Sequence, residues 1–209
     1  FKEYVSSFEE KIDLSKKFMN YLKYSSFPQA VDIYITNPNN IGIFLEGIYS
    51  TILYNDVMAR KDITNKDVLE RVVKYLYDNI GNRTSVKSIS DNIEGITNSN
   101  SYNTISKYIE ALVDSYMVYR VNRYDIKGKE FLKTQEKYYA VDIGFRYQLL
   151  GQKAGRDMGH ILENIVYLEL LRRGYKVYIG KLGDLEVDFV AQNEQNTIYY
   201  QVALTTREE

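Results

Sequence analysis

The sequence predicts an α+β fold in three parts. A helical segment covers residues 1–64, a winged helix-turn-helix covers 65–141, and a closing α/β unit covers 142–209. Three observations predict it. Apolar residues recur at helical spacing through most of the first half. Three helical runs, with a polar turn before the third, lead into a two-stranded ribbon. From Gly159 onward one helical run passes into three runs of strand character.

In the N-terminal segment, Phe18 and Leu22, and the pair Phe8 and Ile12, form apolar stripes. Phe27-Pro28 breaks the pattern, because the residue before proline is driven out of the helical region, and irregular chain is expected up to Asn40. A second helix is expected over 40–60, with Ile43, Phe44, Ile48, Ile52 and Val57 facing a core. Asp56 and Arg60, four apart, can pair on it.

In the central part, Asn65 caps a helix whose core face is Leu69, Val72, Val73, Leu76 and Ile80, and Gly81 closes it. Ser85 opens a short helix through Val86, Ile89 and Ile93 that Gly95 ends. A Ser/Asn-rich turn over 97–101 precedes a third helix over 102–116, carrying Ile105, Ile109, Leu112 and Val113. Two short runs follow, 117–124 and 137–141. In a winged helix-turn-helix the third helix reads base edges and the ribbon touches phosphates. Ser101, Tyr102, Asn103, Thr104 and Lys107 sit near the start of that helix. The ribbon carries Arg120, Arg123, Lys127, Lys129, Lys133 and Lys137, offset by Asp125, Glu130 and Glu136. The candidate DNA-contacting set is Tyr102, Asn103, Lys107, Arg120, Arg123 and Lys127. Winged helices also serve as protein-contact modules, and a Tyr-rich surface suits that role. Asp142 to Arg146 then leads into a short joint containing Gly151 and Gly155.

In the closing unit, Ile161, Ile165, Leu168 and Leu171 form the expected core stripe of a helix. His160, Glu163 and Tyr167 share a neighbouring face. Arg172 and Arg173 suit the helix C-terminus, and Gly174 suits its exit. Strands are expected over 176–182, 185–192 and 198–205. In the second, Leu185, Val187 and Phe189 take one face and Glu186 and Asp188 the other. Register pairing of the last two strands would turn Asp188 and Gln201 toward one pocket, with Glu163 arriving from the helix.

Composition sets outer limits. A chain of 209 residues makes one or two domains. Lys and Arg total 27 against 28 Asp and Glu, so any nucleic-acid surface must be local. Absence of Cys excludes disulfides and thiolate metal sites and fits a reducing, cytoplasmic setting. No run is apolar enough to span a bilayer, so no membrane partner is expected. The 21 Tyr and no Trp make Tyr the preferred large residue, its hydroxyl at the core edge. No phosphate-cradling loop or dinucleotide fingerprint is present, so no cofactor-binding residues are assigned. His160, the only His, reads as a packed residue. Position 1 is Phe, so the chain is expected to begin inside a longer polypeptide.

The helix-and-three-strand layout resembles the restriction-endonuclease-like core. That core carries an acid on its second strand and acid-x-Lys on its third, holding Mg²⁺ and steadying an attacking water. Asp188 matches the strand-two acid and Glu163 the helix acid. Gln201-Val202-Ala203 stands in the acid-x-Lys place, so Gln replaces the acid and Ala the Lys. Glu163, Asp188 and Gln201 are therefore vestigial catalytic positions. Glu163, Glu186 and Asp188 would be the metal ligands only in a nuclease reading. Such a core normally continues with another helix and strand, so its closing pieces look cut off.

The stretches FKEYVSSF, YLKYSSFPQAV, IFLEGIYSTILYNDVMARKDI, YLYDNIGNRTSVKSISDNI, VYRVNRYDIKGKEFLKTQEKYYAVDIGFR, GHILENIVYLELLRRGYKVYIGKLGD, EVDFVAQ and IYYQVA run through nearly the whole chain. Together they resemble a bacterial and archaeal family of AAA-type P-loop ATPases with a C-terminal domain of unknown function. The resemblance implies an upstream ATPase domain that binds ATP and Mg²⁺, with residues 1–31 as its tail or lid. It implies no cofactor in this portion itself. The expected role is a non-catalytic module that binds DNA or a protein partner, beside the ATPase domain of the same polypeptide. Family relatives often keep Glu-Val-Lys where this chain has Gln201-Val202-Ala203.

Overall fold

The computed structural model describes residues 1–8, 13–93, 101–151 and 157–205, and the chain forms an α+β fold built on a mixed sheet. Its N-terminal part is more helical than the sequence suggested. After α1 (Lys2–Ser6), α2 (Leu14–Tyr24) starts at Asp13, whose carboxylate accepts from Lys16 N. Ile12 lies outside the described residues, while Phe8 packs partly buried against the core. Irregular chain was expected after Phe27-Pro28, but α3 (Pro28–Thr36) forms there. Proline costs nothing in the first turn of a helix, where its missing N–H has no partner to lose.

The expected second helix forms as α4 (Ile41–Thr51), a π-helical segment (Ile52–Met58) and α5 (Ala59–Lys61). Of the expected face Val57 is buried, Phe44, Ile48 and Ile52 pack half-buried against the core, and Ile43 is exposed; Ile41, Leu45 and Leu53 are buried beside them. Asp56 and Arg60 pair at 3.0 Å.

The central helices follow local signals closely. Asn65 Oδ1 accepts from Val68 N at 3.1 Å and opens α6 (Lys66–Asp78). Leu69, Val72, Val73, Leu76 and Ile80 are buried. Ser85 Oγ accepts from Ser88 N and opens α7 (Val86–Asn92), just after the short strand β1 (Arg83–Thr84). Gly95 and most of the turn expected over 97–101 lie outside the described residues. Helix α8 (Ser101–Asp114) buries Ile105, Ile109 and Leu112.

The ribbon consists of β2 (Val118–Asp125) and β3 (Glu130–Ala140). Their turn is closed by Asp125 Oδ1, which accepts from Lys127 N and Gly128 N. The stretch read as a joint is instead helix α9 (Ile143–Leu150) up to Gly151, while Gly155 lies outside the described residues. Asp142 explains the helix. Its Oδ1 caps Gly144 N at 2.8 Å, while Oδ2 accepts from Ser26 N at 2.8 Å and Ser26 Oγ at 2.7 Å. One buried carboxylate thus ties the N-terminal helices to the rest.

The closing unit is α10 (Met158–Arg172), β4 (Lys176–Leu182), β5 (Leu185–Gln192) and β6 (Thr197–Tyr200). The last strand was expected to reach 205, yet it stops at Tyr200. Val202 N donates to the Asp188 carboxylate at 2.7 Å, so a side chain captures the amide there.

All described strands join one sheet in the order β1-β3-β2-β4-β5-β6. Strands β2 and β4 run parallel, with Arg123 opposite Ile179, so the ribbon continues directly into the closing unit. A large core unites the N-terminal helices with α6 to α9. A smaller one sits between the sheet and α10, where Tyr139 stacks on Tyr167 at 4.7 Å beside Phe189 and Ile179.

Candidate functional site

Helix α10 presents an unexpected face to the sheet. Of the predicted stripe Ile161 is buried while Ile165, Leu168 and Leu171 are only partly buried, and the other buried positions are Glu163, Asn164, Tyr167 and Leu170. The reason is on β3. Asn164 Oδ1 accepts from Ala140 N at 2.8 Å, and its Nδ2 donates to Ala140 O at 2.9 Å. Beyond the short β1, that amide supplies β3 with hydrogen bonds a neighbouring strand would otherwise give.

One residue earlier, Glu163 Oε1 accepts from Lys137 Nζ at 2.8 Å and from the Tyr139 hydroxyl. Lys137 Nζ also lies 2.8 Å from Glu186 Oε1 on β5. Arg83 Nε of β1 lies 3.2 Å from Glu186 Oε2, without the alignment of a hydrogen bond. Four elements thus meet at a buried ammonium held between two carboxylates. Burial by itself would lower the Lys137 pKa, but Glu163 and then Glu186 outweigh it and hold it above its ordinary value. Burial, followed by Glu163, drives the Tyr139 hydroxyl far above the usual tyrosine range, so it stays a proton donor.

The other expected members lie nearby or apart. Asp188 is buried and spends Oδ2 on Val202 N. Gln201 is exposed just beyond β6. A side chain at Gly81 would stand 3.2 Å from His160 Cδ2, so the lone imidazole packs over that glycine. Among the described residues no group of three or more His, Asp and Glu is arranged to hold a metal ion. Glu163, Glu186 and Asp188 do not fit Mg²⁺ in this arrangement, because an ammonium occupies the space between the first two.

The six candidate DNA contacts do not share one surface condition. Tyr102 and Asn103 are exposed on the first turn of α8, and Lys127 is exposed in the ribbon turn. Lys107 Nζ donates to Asp62 O at 3.3 Å. Arg120 makes a forked pair with Glu110 at 2.6 and 3.2 Å. Arg123 is buried, with Nη1 donating to Gln135 Oε1 at 3.1 Å. Thr104 is half-buried, Lys129 is exposed, and the side chains of Ser101 and Lys133 lie outside the described residues.

Sequence reasoning placed Lys137 among the ribbon cations and passed over Tyr139, Arg83 and Asn164. The available signal was alternation in Lys137-Tyr138-Tyr139-Ala140. Lys137 and Tyr139 share a strand face at the end of an apolar run, which marks the lysine as inward-facing.

Residues 15–156 match a domain of unknown function, DUF8612, and the chain belongs to that family. It is 37% identical over 190 residues to an uncharacterized protein of Haemophilus influenzae, covering 91% of this chain and 46% of that protein. It is 28% identical over 208 residues to an uncharacterized protein of Methanocaldococcus jannaschii, covering 95% of this chain and 45% of the relative. The chain therefore spans less than half the length of these curated relatives. No solved structure matches it. Among the described residues, no helix is long and apolar enough to cross a membrane.

Proposed function

We propose that this chain is a non-catalytic protein-binding module within a longer AAA-type ATP-binding protein. The resemblance of its sequence stretches to that ATPase family supports the parent class, with ATP and Mg²⁺ belonging to the ATPase domain. The observation that carries the non-catalytic part is Lys137 Nζ, 2.8 Å from both Glu163 and Glu186. Those carboxylates, at the endonuclease-like positions, are neutralised from within and serve the fold. Gln201 and Ala203, both exposed, supply neither an acid nor a lysine.

A protein partner is favoured over duplex DNA because Arg120 is forked to Glu110 and Lys107 donates to Asp62 O. The sheet meanwhile exposes an aromatic cluster, Tyr124, Phe131 and Tyr178, with ring centroids 5.0 to 6.2 Å apart and Phe131 55% exposed. DNA contact would fall to Tyr102, Asn103 and Lys127. Titration of labelled duplex DNA across a salt series separates the two. The protein-binding reading expects no affinity even at low salt. Affinity falling steeply with salt would replace it with DNA binding through the winged-helix surface. Calorimetry with Mg²⁺ and Mn²⁺, with a parallel cleavage assay, addresses the nuclease alternative. No heat and no cut product are expected, and metal-dependent cleavage by the purified chain would overturn the non-catalytic assignment.

A further inference from the structure

Among the described residues, the least compensated buried charge at this sheet is Arg123. It is 8% exposed, so its guanidinium is almost wholly removed from water. Among the described residues its one hydrogen-bond partner is a neutral amide oxygen, Gln135 Oε1. Its Nε is fully buried and meets no acceptor among the described residues. The contrast with nearby buried cations is sharp. Lys137 lies between two carboxylates, and Arg146 reaches both Asp157 and Tyr77 O. A buried cation without a counter-charge is destabilising unless an anion joins it.

The backbone around Arg123 is shaped to bring donors together. Pairing of β2 with β3 slips between Val121 and Arg123, and Gln135 holds φ at +61°. Non-glycine residues seldom adopt that left-handed conformation, and such irregularities re-aim a side chain. Here the irregularity accompanies a Gln135 side chain that meets the Arg123 fork. Gln135 is exposed, so the fork lies directly beneath the surface. On the adjoining parallel strand Arg123 stands opposite Ile179, and Lys181 follows two residues on, on the same face. Lys181 Nζ is 4.0 Å from Asp125, the outer limit of an ion pair, and remains partly exposed.

We infer that Arg123, the Gln135 amide and Lys181 form a binding site for a phosphate-type oxyanion. A guanidinium offers a planar fork of donors that matches two oxygens of such a group, and the ammonium adds a point charge. Burial of Arg123 strengthens its part of the attraction. A small phosphorylated molecule or a phosphodiester of nucleic acid could present the group. This site does not depend on the module reading above and can fail without it.

The test is thermal melting of the chain in inorganic phosphate against chloride at equal ionic strength. Phosphate is expected to raise the Tm of the wild type saturably and to leave Arg123→Met unchanged. Arg123→Lys keeps the charge but loses the fork, and should weaken phosphate affinity about tenfold. If Arg123→Met does not fold, Gln135→Ala and Lys181→Ala replace it and should each weaken affinity severalfold. No phosphate effect on the wild type, or an equal rise in the wild type and all variants, overturns the site. Calorimetry with oligothymidylate lacking a terminal phosphate identifies the source. Competition with phosphate assigns the site to a nucleic-acid backbone, and its absence assigns it to a small phosphorylated molecule.

Discussion

Asn164 and Ala140 exchange two hydrogen bonds, side-chain amide to backbone amide, and so dock helix α10 on strand β3. Both residues are fully buried, so water cannot replace either bond. Asn164→Ala leaves a buried N–H and a buried C=O unpartnered and should cost about 2–4 kcal/mol of stability. Denaturant midpoints at constant slope measure it. Asn164→Asp loses the donor and adds a buried charge, so it should be the worse variant.

Lys137 is the second docking point. Lys137→Met strands Glu163 and Glu186 without their shared counter-ion and should destabilise by about 3–5 kcal/mol. Adding Glu163→Gln should recover part of that loss, because one carboxylate no longer needs neutralising. Losses that simply add in chemical denaturation would show that the groups are not coupled.

Gly144 is held by a close approach rather than by its torsion angles. A Cβ there would lie 2.3 Å from Ser25 N and 2.4 Å from Ser25 Cα, both backbone atoms that cannot turn away. Gly144→Ala should therefore loosen the segment carrying α2 and α3. Limited proteolysis is expected to cut near Ser25 and Ser26 in this variant and to spare the wild type. Asp142→Asn should give a milder form of the same result, since it weakens the charge-assisted bonds to Ser26.

Glu169 provides the pH test. Hydrogen bonds from Arg172, and then Arg173, lower its carboxyl from the ordinary 4.5 to about 2. A depressed folded-state pKa contributes stability that is present above about 4.5 and disappears as pH falls toward 2. Glu169→Gln should thus be less stable than the wild type at neutral pH, and the difference should shrink across that window. The pair is partly exposed, so the effect is small and should weaken further in high salt. A difference unchanged between pH 6 and pH 2.5 would refute the charge assignment.

How much of this could be read from the sequence depended on how local the cause was. Helices α6 and α7 were legible because Asn65 and Ser85 cap them and the apolar period follows within a few residues. The strands of the closing unit were legible from alternation, but not their faces throughout. The β4–β5 pairing shifts register between Tyr178 and Gly180, so Val187 and Val190 both meet Gly180 while Phe189 packs with Tyr139 and Tyr167. Asp188 takes the Val202 amide and ends β6 early. Helix α10 was misread because it is apolar on two sides. The side it buries is decided by Lys137, Tyr139 and Ala140, more than twenty residues away along the chain. The candidate site failed to declare itself for the same reason. Its lysine comes from β3, a strand that sequence order assigns to a different part.

The parallel pairing of β2 with β4 has a consequence for how the chain is made. A ribosome releases β2 and β3 well before β4 exists, so an emerging chain carries an open strand edge in the interim. Closure waits on a long excursion through α9 and α10, the slow kind of contact to form. Premature termination between α9 and β4 should therefore yield a sticky, aggregation-prone product rather than a soluble half. Early docking of α10 through Asn164 would shorten that exposure by holding β3 while the remaining strands arrive.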